Sequence, residues 1–556
     1  MNVTLARPRA SSGTISRFSD YALYLAAIVL YCLPFIGARN LFYRDETRYA
    51  SVLRELIEHN AWFALTIDGQ PYLDKPPLFF TLLRLAAELT GSIEPWVFYS
   101  VIGLTAFIFL IGSDAFLRTA GFDRATTRLV NLFVLAIPWL AFHMQAVRMD
   151  FLFSGLILLS MAAFARGIER GEANYWSIAG GFFAGVAVLV KGPFGAVMPF
   201  FSVVAFLLVS GRPRRLLRAD LLISLFVAIL LVATWLLFLN ATFGWQSIRV
   251  LFGEQVIERA VLSRDTHYPW WLYLEWVPLM LMPWLLLAPL LARRTYRVVV
   301  LTGEPGAAIP PQGVRLVLAY LAVSLILLTP VAQKSVRYLL PLLPALMLPV
   351  AVAYRRLEAH YPRVLDWLYV ALAASLLSVI VGTGAAIELL PADLKADLQR
   401  IVGEASFNRA LAAVSLAVLP LAVAALLRGR NRVIANIVSM AIVIAALKAT
   451  LATDFNRAFS PQAVAAAFEI HVPNGVPIVV YNMPRGSLSY DFRHRLQYVD
   501  EREALGRALG ETGAAYVVAR ERQWASEPGL FAGFETLARG RIEATDLMLL
   551  GRPSGD

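Results

Sequence analysis

The residues able to do chemistry are few in this chain, and they fall in four places. The first is Tyr43-Arg-Asp-Glu-Thr-Arg-Tyr49, followed by Arg54 and Glu55 and then by Gln70-Pro-Tyr-Leu-Asp-Lys-Pro-Pro-Leu78. The others are Val147-Arg-Met-Asp150, Val190-Lys-Gly-Pro193 and Gln333-Lys-Ser-Val-Arg-Tyr338. Guanidinium and ammonium groups hold phosphate and stabilise charge developing on a phosphate leaving group. A carboxylate beside them, Asp45 or Glu46, can take a proton from an attacking oxygen. Each motif also has an ordinary reading. Arg44-Asp-Glu-Thr-Arg48 has the charge order of a helix start, with acid at the N-terminus and base one turn on. A lone Lys or Arg at the end of an apolar run can snorkel to the lipid interface. Several such charges on one side of a membrane favour function, because charge near the bilayer is expensive and usually marks a site.

The elements that carry these residues are membrane helices. The chain has 556 residues, 58% hydrophobic and 16% charged, with a mean hydropathy of +0.62. Globular domains carry about 25% charged and about 45–50% apolar residues. The composition therefore excludes a soluble enzyme, a disordered chain and a fibrous repeat. About 20 apolar residues cross a hydrocarbon core. Thirteen apolar segments are expected, near 21–37, 96–113, 129–141, 151–165, 175–190, 193–209, 220–240, 271–291, 314–330, 338–354, 365–388, 410–427 and 433–451. The first follows Arg7, Arg9 and Arg17 and reads as an uncleaved signal anchor. Cys32 is the single cysteine, so no intrachain disulfide forms.

Charge sets the expected orientation. With the N-terminus in the cytoplasm, every inner loop is basic, from Arg118, Arg124 and Arg128 through to Arg428, Arg430 and Arg432. The short outer loops hold only Arg148, Lys191, Lys334 and Arg337. That asymmetry obeys the positive-inside rule. It also accounts for the net charge of +11 without nucleic acid, for which no binding motif is present. Thirteen spans place the C-terminus outside.

Three outer segments, 38–95, 241–270 and 389–409, are too long for simple connectors. In the first, Tyr49 to Ile57 and Leu78 to Leu89 are amphipathic and suit helices lying on the membrane surface. From about 452 the pattern changes. Strand-like runs at 477–481, 497–499, 515–518 and 546–550, with a polar helix over 501–509, predict a small α/β domain outside the membrane. The chain thus divides into a membrane domain, 1–451, and a C-terminal domain, 452–556. Phosphate-cradling glycine loops are absent.

Asp45-Glu-Thr-Arg-Tyr-Ala50, Leu73-Asp-Lys-Pro-Pro77, Arg148-Met-Asp150, Lys191-Gly-Pro193 and Arg337-Tyr-Leu-Leu-Pro341 together resemble the bacterial membrane glycosyltransferases related to protein O-mannosyltransferases. The resemblance runs over nearly the whole chain and is nearest to the aminoarabinose transferases of lipid A modification. It implies a C-type glycosyltransferase fold with about 13 transmembrane helices. It implies transfer of 4-amino-4-deoxy-L-arabinose from undecaprenyl phosphate to a lipid A phosphate, on the periplasmic face of a bacterial inner membrane. The catalytic aspartate maps to Asp45. Carrier-phosphate and substrate binding map to Lys75, Lys191, Arg337 and Tyr338, with Arg48 and Tyr49 near Asp45. Tyr72, Arg148, Asp150 and Lys334 complete the candidate set. Asp74 stands where a longer Glu is expected.

A lipid A phosphate is already ionised, so Asp45 is expected to orient the acceptor or the sugar amine more than to act as a strong base. One carboxylate without a second nucleophile suits an inverting single displacement. No cofactor is required, because the lipid carrier already holds the activated sugar. His267, in Asp265-Thr-His-Tyr-Pro269, and Asp74 are the candidate ligands of a structural divalent cation such as zinc; HExxH and CxxC patterns are absent. Two other readings compete. A lipid flippase would show internal repeats and charged, broken helices at mid-membrane, whereas here the charges gather at one face. A related transferase would use the same machinery on protein hydroxyls or another glycan.

Overall fold

The computed structural model describes residues 11–32, 37–170, 174–253, 268–302, 310–388, 390–391, 394–395, 399, 401–511, 515–543 and 545–552. It is a helical membrane domain capped at one end by a small mixed sheet. Among the described residues, eight helices are long and apolar enough to cross a membrane. A ninth span forms if Leu272–Met280 and Trp284–Leu290, which meet at 97°, count as one. Phe18–Cys32, Tyr175–Lys191 and Phe194–Val209 are shorter apolar helices. The chain is therefore a multi-pass membrane protein.

The first half supplies the framework: α1 (Ser11–Cys32), α2 (Asp45–Glu58), α3 (Leu78–Thr90), α4 (Pro95–Thr119), α5 (Arg124–Leu135), α6 (Pro138–His143), α7 (Asp150–Arg170), α8 (Tyr175–Lys191), α9 (Phe194–Val209), α10 (Ala219–Phe243) and α11 (Trp245–Val250). At the centre α7 packs on α4 with backbones nearly touching. A Cβ on Gly112 would lie 2.6 Å from the Gly155 carbonyl, and one on Gly155 would lie 2.9 Å from the Phe109 nitrogen. Small residues allow such crossings, which drive helix association where lipid supplies no hydrophobic force. By contrast, α10 buries only 11% of its most apolar window, against 89% for α7, so α10 stands at the lipid-facing rim.

Several expected spans are not single helices. The segment expected at 129–141 is divided between α5 and α6, because Pro138 lacks an N–H and begins a new helix instead of continuing the old one. The segment at 271–291 is the bent pair, with Pro278, Pro283 and Pro289 along it. The last span runs from Arg430 to Phe459, past its expected end at 451. The boundary drawn at 452 thus falls inside a helix that carries the chain into the C-terminal domain. The segments expected as surface helices in the first outer loop are α2 and α3. Between them lies a two-stranded hairpin, β1 (Thr66–Ile67) and β2 (Gln70–Pro71), too short to leave a periodic signal.

The C-terminal sheet contains β3 (Ile478–Tyr481), β4 (Leu496–Val499), β5 (Tyr516–Arg520), β6 (Glu535–Ile542) and β7 (Thr545–Gly551), in the order β4-β3-β5-β7-β6. Strands β4, β3 and β5 are parallel, while β7 is antiparallel to both β5 and β6. Alternation places Ile478 and Val480 in one apolar layer and Val479 and Tyr481 in the other. β6 escaped the sequence reading because its pattern, Glu-Thr-Leu-Ala-Arg-Gly-Arg-Ile, is that of a solvated edge strand.

Candidate functional site

The site begins with α2. At about 100° per residue, positions 45, 48 and 49 share one face of a helix. Arg44, immediately before it, is held at φ 72° and ψ −101°, a strained conformation for a residue with a Cβ. That turn sets Asp45 at the head of the helix, where its charge suits the helix dipole.

Asp45, Arg48 and Tyr49 open onto a cavity of about 450 Å³. Tyr72, Asp74, Lys75 and Pro76 line it from the segment leading to α3, and Arg148, Asp150 and Phe153 from the start of α7. Lys191, Gly192 and Pro193 come from the α8–α9 junction, and Gln333, Arg337 and Tyr338 from the segment after Leu328. Val232, Trp235 and Leu236 of α10 form an apolar wall on the lipid side. The cavity therefore joins a polar end to an apolar flank, as a lipid with a charged head requires.

Each carboxylate in the cavity is paired. Asp45 accepts from Arg148 Nη1 at 2.8 Å, and Asp74 accepts from Arg48 Nη2 at 2.9 Å. Asp150, almost fully buried, pairs with Lys191. The Lys191 ammonium also lies 4.8 Å from the centre of the Tyr338 ring. Arg337 donates from Nε to Ser335 at 3.0 Å. Five cations (Arg48, Lys75, Arg148, Lys191 and Arg337) thus face three carboxylates. The excess is positive, and an incoming phosphate would balance it.

A buried knot fixes this array from behind. Glu46 accepts from Arg39 Nη2 at 3.1 and 3.0 Å, from the Phe42 N–H at 2.9 Å and from the Val147 N–H at 3.0 Å. Arg39 also donates to the Gln145 carbonyl, and to the Tyr99 hydroxyl at 2.7 Å. One carboxylate thereby joins the start of α2 to the strand of backbone that carries Arg148. His143 lies 3.8 Å from the far oxygen of Asp150 and stacks on Trp139 at 4.8 Å.

Of the candidate residues, Asp45, Arg48, Tyr49, Tyr72, Asp74, Lys75, Arg148, Asp150, Lys191, Arg337 and Tyr338 meet in one cavity. Lys334 does not line it. Its ammonium turns to the Val331 carbonyl at 2.6 Å, in the turn that follows the helix Pro311–Leu328. His267 lies outside the described residues. Asp74 spends its carboxylate on Arg48, and no group of three or more His, Cys, Asp or Glu gathers among the described residues. The described side chains therefore do not compose a metal site, and no chemistry is assigned to one. Sequence reasoning missed the Arg39–Glu46 knot, since the partners that tie it to the rest of the domain, Tyr99, Gln145 and Val147, lie 60 to 106 residues away. It also missed the α10 wall, whose Trp235 looks like any residue of a lipid-facing helix.

Comparison with known proteins bears on this geometry. A family model described as dolichyl-phosphate-mannose-protein mannosyltransferase matches residues 74–238. An undecaprenyl phosphate-alpha-4-amino-4-deoxy-L-arabinose arabinosyl transferase of Pectobacterium carotovorum is 30% identical over 289 residues, 50% of each chain. One of Pseudomonas savastanoi is 26% identical over 272 residues, 47% of this chain and 49% of that one. The chain spans about half the length of the curated relatives it matches. In three dimensions the likeness extends over nearly the whole chain. The crystal structure of ArnT from Cupriavidus metallidurans bound to undecaprenyl phosphate superposes with a TM-score of 0.72 at 18% identity, over 98% of this chain and 100% of that one. The apo structure of the same protein gives 0.71. The chain therefore has the C-type glycosyltransferase fold, with a polytopic helical domain and a small C-terminal sheet domain.

Proposed function

We propose that this protein is an inverting membrane glycosyltransferase. It moves 4-amino-4-deoxy-L-arabinose from undecaprenyl phosphate to a phosphate of lipid A. The observation that carries the reading is the juxtaposition of Asp45 with five cations in a cavity whose flank is an apolar, lipid-facing wall. The transferases named above, similar to this chain over half its length, and the fold shared with ArnT support the choice of donor and sugar.

In the proposed reaction the acceptor phosphate oxygen attacks the anomeric carbon. The bond from that carbon to the carrier phosphate breaks on the opposite face. The electron pair stays on undecaprenyl phosphate, which gains one negative charge, and the acceptor phosphate becomes a diester. Lys75, Lys191 and Arg337 offset the charge developing on the leaving phosphate. Asp45, held by Arg148, orients the acceptor or the sugar amine. No protein nucleophile and no cofactor are needed. The cavity and the C-terminal domain face the periplasm in this reading. Arg118, Arg124, Arg128 and Arg355 support that orientation. They cluster with Asp20, Asp114 and Asp123 at the end of α4 remote from the cavity, about 35 Å along a 25-residue helix.

The test is transfer by the purified protein. Sugar-linked undecaprenyl phosphate and lipid A should yield modified lipid A and free carrier phosphate, and Asp45→Asn should abolish that yield without unfolding the protein. Full activity of Asp45→Asn would sink the assignment. The matching mannosyltransferase family model supports a second reading, in which the acceptor is a protein hydroxyl. Sugar appearing on protein and not on lipid A would establish it.

A further inference from the structure

The far side of α2 does not face the membrane domain. Positions 47, 51 and 54 lie within about 60° of one another around the helix and roughly opposite Asp45, Arg48 and Tyr49. All three bond to backbone carbonyls of one loop in the C-terminal domain. Thr47 Oγ1 donates to the Ser487 carbonyl at 2.9 Å, and Ser51 Oγ to the Gly486 carbonyl at 2.9 Å. Arg54 donates to the carbonyls of Ser489 at 2.5 Å, Phe492 at 3.3 Å and Tyr490. The loop is closed from the hairpin side by Asp68, which accepts from the Gly486 N–H at 2.9 Å and the Ser489 hydroxyl at 2.6 Å. Gly486 sits at φ +71°, and a Cβ there would lie 2.1 Å from Ile67 Cδ1, so the loop fits against this surface only with glycine at that point.

The segment leading into α2 is tied to the same domain. Tyr43, two residues before Asp45, is buried in the apolar layer formed by Phe468, Ile478, Val480 and Leu549. Its N–H bonds to the Phe459 carbonyl at 2.8 Å. The Asn40 backbone N–H donates to Asn456 Oδ1 at 3.0 Å, and its side-chain Nδ2 donates to Gln462 Oε1 at 2.5 Å. Strain at Arg44 persists between these anchors and the Glu46 knot because both neighbours are held.

We infer that the C-terminal domain positions α2 from a different side than the Glu46 knot. Its 486–492 loop clamps Thr47, Ser51 and Arg54, its core seats Tyr43, and together they hold the Asp45 face of the helix toward the cavity. Thr47, Arg54 and Tyr43 are positioning residues; none of them lines the cavity. The carrier-phosphate cations Lys191 and Arg337 come from the membrane domain and do not depend on the clamp. The inference rests on the proposed function for its kinetic consequence, but its structural consequence stands apart.

The test uses the full-length protein in detergent with Arg54→Ala, Arg54→Lys and Thr47→Val. Hydrogen exchange of peptides covering 44–58 is read beside kcat, the donor KM and binding of undecaprenyl phosphate. Arg54→Ala should raise exchange in 44–58 while leaving α4 and α7 protected. It should lower kcat tenfold or more and leave undecaprenyl phosphate binding within twofold. Arg54→Lys, with one ammonium for three carbonyls, should recover part of the loss, and Thr47→Val should lower kcat several-fold. If Arg54→Ala does not fold, Arg54→Lys and Thr47→Val carry the same comparison. Unchanged exchange in 44–58, or unchanged kcat in all variants beside an inactive Asp45→Asn, overturns the inference. An equal loss of carrier binding also overturns it. If the unmodified protein transfers no sugar at all, the functional reading fails, and the exchange measurement still decides whether the clamp exists.

Discussion

Glu46→Gln is the sharpest perturbation of the site that leaves every cavity side chain in place. The Glu46 carboxylate and the Arg39 guanidinium are both less than a tenth exposed. The carboxylate takes both contacts from Arg39 and the backbone N–H groups of Phe42 and Val147. Glutamine keeps the volume, removes the charge and turns one acceptor into a donor. Arg39 is then a buried cation with no counter-charge, which costs about 3–5 kcal/mol. Whichever way the amide turns, one of the two N–H groups meets another donor, at about 1–3 kcal/mol; the two costs overlap and do not simply add. Val147 precedes Arg148, so the Asp45–Arg148 pair loses its frame, and misplacement by about 1 Å costs on the order of a hundredfold in rate. The assay is thermal unfolding of the purified protein together with transfer rate, with Arg39→Met and the double variant completing a cycle. The double variant should be more stable than the sum of the single losses by about 0.5–3 kcal/mol. It should not regain the unmodified protein's stability, because one of the two N–H groups still lacks an acceptor. Glu46→Gln with unchanged unfolding and unchanged rate, or strict additivity in the cycle, would refute the reasoning.

Other expectations follow from the same geometry. Lys191→Met removes a phosphate-binding cation and strands the buried Asp150. It should raise the donor KM at least about tenfold and lower thermal stability, and Asp150→Asn added to it should restore the stability but not the KM. Burial pushes the Asp491 carboxyl up to about 7, with Arg54 opposing, while an unfolded Asp titrates near about 3.9. The folded form thus binds the proton more tightly. Stability falls as pH rises from about 4 to about 7, by at most about 1.4 kcal/mol per pH unit, and is flat beyond. Asp491→Asn should lack that fall, so its melting temperature should gain on the unmodified protein's as pH rises; parallel curves would dismiss the role of Asp491. Arg148→Lys should keep the charge beside Asp45 but lose the guanidinium geometry. It should lower kcat more than it changes carrier binding, as transfer kinetics and a binding titration would show.

Much of the molecule is legible in its sequence because membranes impose a simple code. Lipid demands long apolar helices, and charge is too costly there to occur without reason. Composition therefore sufficed for a polytopic protein, and the few charges outside the inner loops marked Arg148, Lys191 and Arg337. The strands of the C-terminal domain were visible as β-branched runs, except β6, whose polar face mimics a loop. Prolines blurred the count of spans, since a break at Pro138 or a bend near Pro283 depends on what packs beside it.

What only the tertiary structure decided was pairing. The chain alone places Asp45, Asp74 and Asp150 beside several cations. It cannot say that Asp45 takes Arg148, that Asp74 takes Arg48 or that Asp150 takes Lys191, because these pairs span 103, 26 and 41 residues. Lys334 shows the converse: the right residue type in the right loop turned to a carbonyl of its own loop instead. The same limit hid the C-terminal domain's hold on α2, where Thr47 meets Ser487 across 440 residues. Periodicity and composition are local properties, set by the solvent around each segment. Which two charges meet is set by how the helices cross, and at α4 and α7 that crossing depends on a pair of glycines too small to announce it.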